Sequence, residues 1–467
     1  MKFIKIKTLL AVSLVLMLFA SCESFLDVNT DPNRVTDVTL NSLLPTTIEA
    51  ASAAHYRSAY TTNQITQHLG SYFGYPQILS LSSTWSGIYL KGLNNLDQLI
   101  IKAEESNSPH YAGIGKVLSA INVGLLTDNW EAAPYSEAIL GSDNFTPKFD
   151  SQEQLYASIN SLLDAAITDL QKSESIFAPG SDDLAYNGDI SKWIKLAYTL
   201  KARYAIHLTN KNGTQAASDA LSAISNGFTS NGDDFQLMYN SVNKNPWHTS
   251  VALANNTGNL TITQGSYFVD LLKGITDEGD PRMAALVDAG DIPNAEVVGI
   301  TSYDDNAAPN NSDLSETTWH STESAPIVMV SYAEAKFIEA EAAFISNDKT
   351  RAYDAYLEGI AANVSKLEVE AGDFLTHPNV AVGADNLTLS DIMEQKYIAL
   401  YLNPEAWVDM RRYNYSTDAY TGFVEADPFE LGGSFQRVRY PDDEFNRNGD
   451  ETQANNKDLL VQMWRDQ

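Results

Sequence analysis

Cys22 is the single cysteine among 467 residues, and it directly follows Phe19-Ala20-Ser21 at the end of a short apolar run. Lys2, Lys5 and Lys7 precede that run, which extends from Leu9 to Ala20 broken only by Ser13. A charged start, an apolar stretch and a small residue at the cut form an export signal too short to remain as a spanning helix. Apolar, small, small, Cys is the box that lipoprotein signal peptidase reads, here with Phe19 where Leu is more usual. A lone thiol in an exported chain has no disulfide partner, so acylation is the expected use of Cys22. A diacylglyceryl group with an added amide-linked chain exceeds the single acyl group that gives only marginal membrane binding. The sequence therefore predicts a signal peptide at 1–21, a lipid tether and N-terminal segment at 22–42, and a folded body at 43–467.

About 446 residues remain after cleavage, enough for one large or two ordinary domains. Without the leader lysines, 27 basic residues face 60 acidic ones, a formal charge of about −33. Such a body repels nucleic acid and anionic lipid and favours neutral or cationic partners. No later segment is apolar enough to span a bilayer.

Helical periodicity is clearer than strand alternation. After Ser151, Gln154 completes a capping box, and Leu155, Ile159, Leu162, Ala166 and Leu170 form one apolar stripe. A second helix after Ser191 carries Trp193, Ala197, Leu200, Tyr204 and Leu208 on one face and Lys192, Lys195 and Lys201 towards water. A third, Tyr332 to Ile345, is rich in alanine, which lets a neighbouring helix approach closely. Further helices are expected over Leu43–Tyr60, Thr84–Glu105, Ala112–Thr127, Gln215–Asn226, Thr350–Glu370 and Ser390–Leu402, the last stopped by Asn403-Pro404. Long polar stretches separate them at 226–263, 289–324 and 372–386; loops of that length are usually functional or disordered.

A series of motifs runs the length of the chain. Ser24-Phe25-Leu26-Asp27-Val28-Asn29-Thr30-Asp31-Pro32-Asn33 follows the cysteine, then Asp128-Asn129-Trp130-Glu131-Ala132-Ala133-Pro134-Tyr135, Pro147-Lys148-Phe149-Asp150 and Lys201-Ala202-Arg203-Tyr204. The second half adds Asp280-Pro281-Arg282, Tyr332-Ala333-Glu334-Ala335, Trp407-Val408-Asp409-Met410-Arg411-Arg412-Tyr413 and Arg439-Tyr440-Pro441-Asp442. In this order the chain resembles the SusD/RagB family of nutrient-binding outer-membrane lipoproteins, in its shorter branch. The resemblance implies a mainly α fold: a single helical domain of tetratricopeptide-like helix pairs with long irregular ligand-facing loops. It also implies a surface-exposed lid on a TonB-dependent outer-membrane barrel, which captures a glycan or a peptide and passes it inward without chemistry. A helical-repeat scaffold of the envelope that binds no small ligand is the alternative class.

Within those motifs Arg282, Arg411, Arg412 and Arg439 sit beside carboxylates and aromatics, where bidentate pairs pin loops to helices. Trp193, Trp407 and Trp464 are expected in the core. Ligand contacts are expected instead from aromatics stranded in polar loops, because a flat ring covers the C–H face of a sugar while amides and carboxylates meet its hydroxyls. Tyr72, Tyr75, Trp85, Trp247 and Trp319 are the candidates, each as readily a packing residue as a ligand contact.

Catalytic signatures are missing from the sequence: no His-Glu-x-x-His, no Gly-x-Ser-x-Gly, and Gly113-Ile114-Gly115-Lys116 lacks the first glycine and hydroxyl of a phosphate loop. Asp27, Asn29, Asp31 and Asn33 alternate as in a calcium loop, but Pro32 replaces its glycine and Val38 its closing glutamate. The chain reads as a binding protein with no cofactor and no metal.

Overall fold

The computed structural model describes residues 38–71, 81–259, 262–290, 292–301, 313–424 and 432–467. Cys22, the leader and most of the tether lie outside the described residues, as do Tyr72 and Tyr75.

Helices carry the fold: α1 (Leu40–Ile65), α2 (Asn94–Glu105), α3 (Pro109–Trp130), α4 (Gln152–Leu170), α5 (Ile190–Ile206), α6 (Thr214–Ile224), α7 (Ser266–Gly274), α8 (Tyr332–Ile345), α9 (Lys349–Lys366), α10 (Leu389–Ala399) and α11 (Glu405–Arg412). Short strands β1 (Leu69–Ser71), β2 (Phe235–Leu237), β3 (Ile262–Gln264) and β4 (Ile327–Val330) pair antiparallel, β1 with β3 and β2 with β4. Leu69 stands opposite Gln264, and Phe235 opposite Val330. Successive helices cover one another, α2 on α3, α3 on α4, α4 on α5 and α5 on α6, followed by α6 on α8 and α8 on α9. This is the tetratricopeptide-like pairing, and the class is mainly α. Among the described residues no helix is long and apolar enough to cross a membrane.

Local chemistry sets the boundaries. Ser151 caps α4, its backbone N–H donating to Gln154 Oε1 at 2.8 Å while its hydroxyl accepts from the Gln154 N–H. The α4 stripe buries Leu155, Ile159, Ala166 and Leu170, with Leu163 in place of the expected Leu162, which is half-buried. Asp189 rather than Ser191 caps α5, and α8 spans the residues its sequence predicts. Gly113 and Gly115 are packing residues of α3: a Cβ at Gly113 would fall 2.6 Å from Leu170 Cγ, and one at Gly115 2.8 Å from Ile100 Cγ1. Lys116 of the same segment bonds Glu104 and Asp169 at 2.8 and 2.6 Å.

Buried arginines lock the array. Arg282 donates to Asp280, Asn363 and Gln395, and Arg203 grips Glu334 through two bonds of 2.6 Å. Glu341 accepts from Arg412 at 2.7 Å and Lys396 at 3.2 Å, and both cations also reach Asp409. Arg411 has no carboxylate partner among the described residues. It lies 3.7 Å over the Trp407 ring and donates to the Gln436 carbonyl at 2.8 Å, and burial lowers it to about 10. Arg439 is exposed, and the pinning role expected of it falls to Arg437 and Arg465, which pair with Glu131 and Asp128. Trp193 and Trp407 are core residues, whereas Trp464 is half-buried under Lys211.

Burial also fixes charge states. His55 is held at about 3 by desolvation and then by the nearby Arg203, and His68 at about 3 by desolvation against its bond to the Tyr397 carbonyl. Burial pushes the Glu341 carboxyl up, but Arg412 and Lys396 outweigh it and bring it to about 2. The unfolded chain takes protons on these histidines below about pH 6.5 and the folded chain does not. Stability is therefore present above pH 6.5 and lost as pH falls towards 3, with a further loss from Glu341 between about 4.5 and 2. Melting followed by circular dichroism should show a falling Tm below pH 6.5, each histidine contributing up to about 1.4 kcal/mol per pH unit. A Tm unchanged from pH 7 to 4 would contradict this.

Candidate functional site

Of the five aromatic candidates, three lie within the described residues, and they have different surroundings. Trp85 is only 5% exposed, with its ring against Trp130 at 4.9 Å and Tyr89 at 5.0 Å and its Nε1 donating to Glu444 at 3.1 Å. Trp247 is 2% exposed, edge-on to Tyr56 at 4.8 Å and stacked with Tyr60 at 6.1 Å. Other rings cover these two indoles, so both serve as packing residues here. Trp319 is half-buried and borders a cavity.

That cavity, about 510 Å³, opens beside the β2–β4 pair. Gln236 and Met238 come from β2 and its end, Ala325 and Pro326 from the approach to β4, Lys366 from the last turn of α9, and Thr317, Thr322 and Ser324 from the loop around Trp319. The Trp319 N–H donates to the Ala285 carbonyl at 2.8 Å, which fixes the loop. The Lys366 ammonium lies 5.6 Å over the indole, held by Asp234 at 2.7 Å and Gln236 at 2.5 Å. Behind it His320 packs 4.7 Å from Trp319 and 5.5 Å from Tyr401. Burial, then the charge of Lys366, lowers that imidazole to about 3, so the only cation contributed by these neighbours near neutral pH is the lysine. Asn245 donates its N–H to the Glu323 carbonyl at 3.0 Å and its side-chain amide to the Ala325 carbonyl at 2.9 Å. The two loops singled out by sequence thus meet through their backbones, while the Trp247 ring turns inward.

A second cavity, about 660 Å³, was not foreseen from the sequence. Helices α7 and α10 form its walls with Ser266, Tyr267 and Asp270 from one and Asp391, Glu394 and Gln395 from the other. Glu394 accepts from the Thr421 N–H at 2.8 Å, and burial holds its carboxyl above the usual range. Asp391 is tied into the cap of α10 by Thr388. The signal was present as polar residues spaced three and four apart on two helices, but such a face ordinarily points to water.

Asp128, His207 and Glu405 are close enough to hold a metal ion. Arg465 already pairs with Asp128, Arg203 Nη1 lies 3.5 Å from Glu405, and His207 has its Nε2 3.0 Å from Glu405 and its Nδ1 3.1 Å from the Tyr156 hydroxyl. Two guanidinium groups supply the positive charge that a cation would bring, so the cluster is a structural network.

Comparison with known proteins places this architecture. Residues 32–425 match the SusD-like family model described as starch-binding associating with outer membrane. The chain belongs to this family. Among solved structures, it shares its fold with a SusD/RagB family protein from Bacteroides thetaiotaomicron at 22% identity and TM-score 0.72, covering 92% of this chain and 99% of that one. A chitin-binding SusD homolog from Flavobacterium johnsoniae aligns at 20% identity and TM-score 0.75, covering 92% and 98%. A chitin-binding protein aligns at 24% identity and TM-score 0.76, covering 92% and 100%. No curated protein matches in sequence.

In this SusD-like body the sequence motifs interlock as scaffold. The Asp150 carboxylate accepts the N–H groups of Tyr135 and Ser136 at 2.9 and 2.7 Å, Trp130 donates to the Arg439 carbonyl at 3.0 Å, and Tyr440 donates to the Ala132 carbonyl at 2.7 Å. Packing and exposure separate the tryptophans in a measurable way. Trp85→Ala and Trp247→Ala should each cost about 3–5 kcal/mol in urea unfolding, whereas Trp319→Ala should cost less than about 1.5 kcal/mol.

Proposed function

We propose that this chain is a surface-exposed outer-membrane lipoprotein, acylated at Cys22, that captures oligosaccharides and delivers them to a TonB-dependent barrel without turnover. The observation that carries the reading is the half-buried Trp319 at the rim of a cavity lined by both apolar and polar side chains. An indole face matches the C–H face of a pyranose. Around it, Lys366 and the hydroxyls of Thr322 and Ser324 can donate to sugar oxygens, and Glu368 and the Gln236 amide can accept from sugar hydroxyls. Membership of a family described as starch-binding supports a glycan ligand, and two structural neighbours are themselves described as chitin-binding. The acidic body, which disfavours nucleic acid and anionic lipid, is consistent with a neutral cargo. Nutrient uptake through a barrel is the role in which a tethered binder with no catalytic apparatus is useful.

Calorimetry of residues Glu23 to Gln467 against a panel of oligosaccharides and peptides tests the capture role. Saturable glycan binding is expected, weakened at least about tenfold by Trp319→Ala, which corresponds to about 1.4 kcal/mol, with Trp247→Ala acting on Tm instead. Saturable binding to peptides alone would replace the glycan with peptide cargo, and silence across the panel would leave a ligand-free scaffold. Orientation has a separate test. Protease added to intact cells should digest the body, and protection until lysis would place it inside.

A further inference from the structure

The cavity between α7 and α10 has a chemistry distinct from that of the Trp319 cavity. Asp270, Asp391 and Glu394 line it, and among the described residues no lysine, arginine or histidine does. Carboxylates alone are common on a chain this acidic, but Tyr267 adds a second kind of evidence. Its side chain is on the cavity wall, it is 8% exposed, and its hydroxyl has no hydrogen-bond partner among the described residues. A buried hydroxyl left unpaired costs about 1–3 kcal/mol, so native proteins seldom retain one without a use. The Tyr267 ring is braced by Tyr397 at 5.4 Å and Phe423 at 5.1 Å, which keeps the hydroxyl in place. Glu394 is near enough for its charge to act on Tyr267, yet the two are not bonded to each other. One of its oxygens is held by the Thr421 N–H. A ligand group placed between them would meet an acceptor on one side and a hydroxyl on the other.

We propose that this cavity binds an amino sugar with a free, protonated amine, the ammonium resting against Glu394 and Asp270 and a neighbouring sugar oxygen accepting from Tyr267. The assignment rests on the glycan reading above and adds to it a charge preference at a separate site. Burial, and then the charge of nearby Asp391, holds the Glu394 carboxyl above its usual range, and an ammonium beside it relieves that penalty. A bare metal cation would leave the Tyr267 hydroxyl without use, whereas the alternating donors and acceptors of a sugar engage it. The volume, about 660 Å³, is in the range of small-ligand pockets rather than of a single ion.

The test is titration of the full mature chain in detergent with short glucosamine oligomers, the same oligomers fully N-acetylated, and a lysine tripeptide. Salt of about 0.15 M, with a Debye length of about 8 Å, suppresses general attraction to the acidic body. The free-amine oligomer should bind at least about tenfold tighter than its acetylated form. Glu394→Gln and Tyr267→Phe should each erase that preference without lowering Tm, because glutamine keeps the acceptor for Thr421 and phenylalanine removes only an unpaired group. Glu394→Gln removes one of 60 acidic residues, so a preference that survives it is a property of the whole field and overturns the proposal. Equal affinity for the two oligomers overturns it as well and leaves glycan capture at Trp319 standing. A free-amine preference that persists when Trp319→Ala has no effect on any glycan supports this site and removes the Trp319 reading. A lysine peptide bound as tightly as the amino sugar overturns the sugar assignment.

Discussion

Arg203, Arg282, Arg412, Arg437 and Arg465 carry their guanidinium groups into the interior, each against a carboxylate, and the rest of the fold is arranged around those meetings. Removing one partner of such a pair leaves a buried charge alone and typically costs 3–5 kcal/mol, so the pairs admit one register of the helices and penalise others. They also span large separations. Arg203 and Glu334 are 131 residues apart, Arg437 and Glu131 are 306 apart. Arg203 further donates to the Met329 carbonyl at 2.9 Å, in the strand that follows the Trp319 loop. The position of a solvent-facing ring thus depends on a charge pair inside the helical array.

Much of the scaffold was legible because its signals are local. The Ser151–Gln154 box and the alanine-rich run of Tyr332–Ile345 each act within a few residues, and their helices lie where these marks put them, while α10 ends at Ala399, ahead of the expected stop at Asn403-Pro404. The errors are of two kinds. Leu162 gave way to Leu163 because the stripe of α4 turns between two neighbours, α3 and α5, a detail of packing that one helix does not carry. The local motif points to Arg439, whereas burial is decided by what arrives from the end of α3, hundreds of residues earlier, and there Arg437 and Arg465 meet Glu131 and Asp128.

The candidate aromatics were harder to read for a related reason. Trp85, Trp247 and Trp319 all follow polar sequence and look alike on the page, yet Trp85 meets a wall built from Trp130 and Tyr440, and Trp247 meets Tyr56 and Tyr60 of α1. Those partners are remote in sequence, so exposure is a tertiary property. The cavity between α7 and α10 is the converse case. Neither helix announces a site, and only their juxtaposition sets Tyr267 and Glu394 on one surface.

Arg465 has a consequence for the order in which this protein is made. It meets Asp128 across 337 residues, so the α3 carboxylate has no partner until almost the whole sequence has been synthesised. Contacts of such separation form slowly because the loop must close before the bond rewards it. Helices α2 to α6 can pair as they emerge, but their common end stays open, with a hydrated or protonated Asp128, until the last segment docks. Newly made chains therefore pass through a stage in which most helices are present and the seam along α3 is accessible, the stage at which aggregation and proteolysis compete with docking.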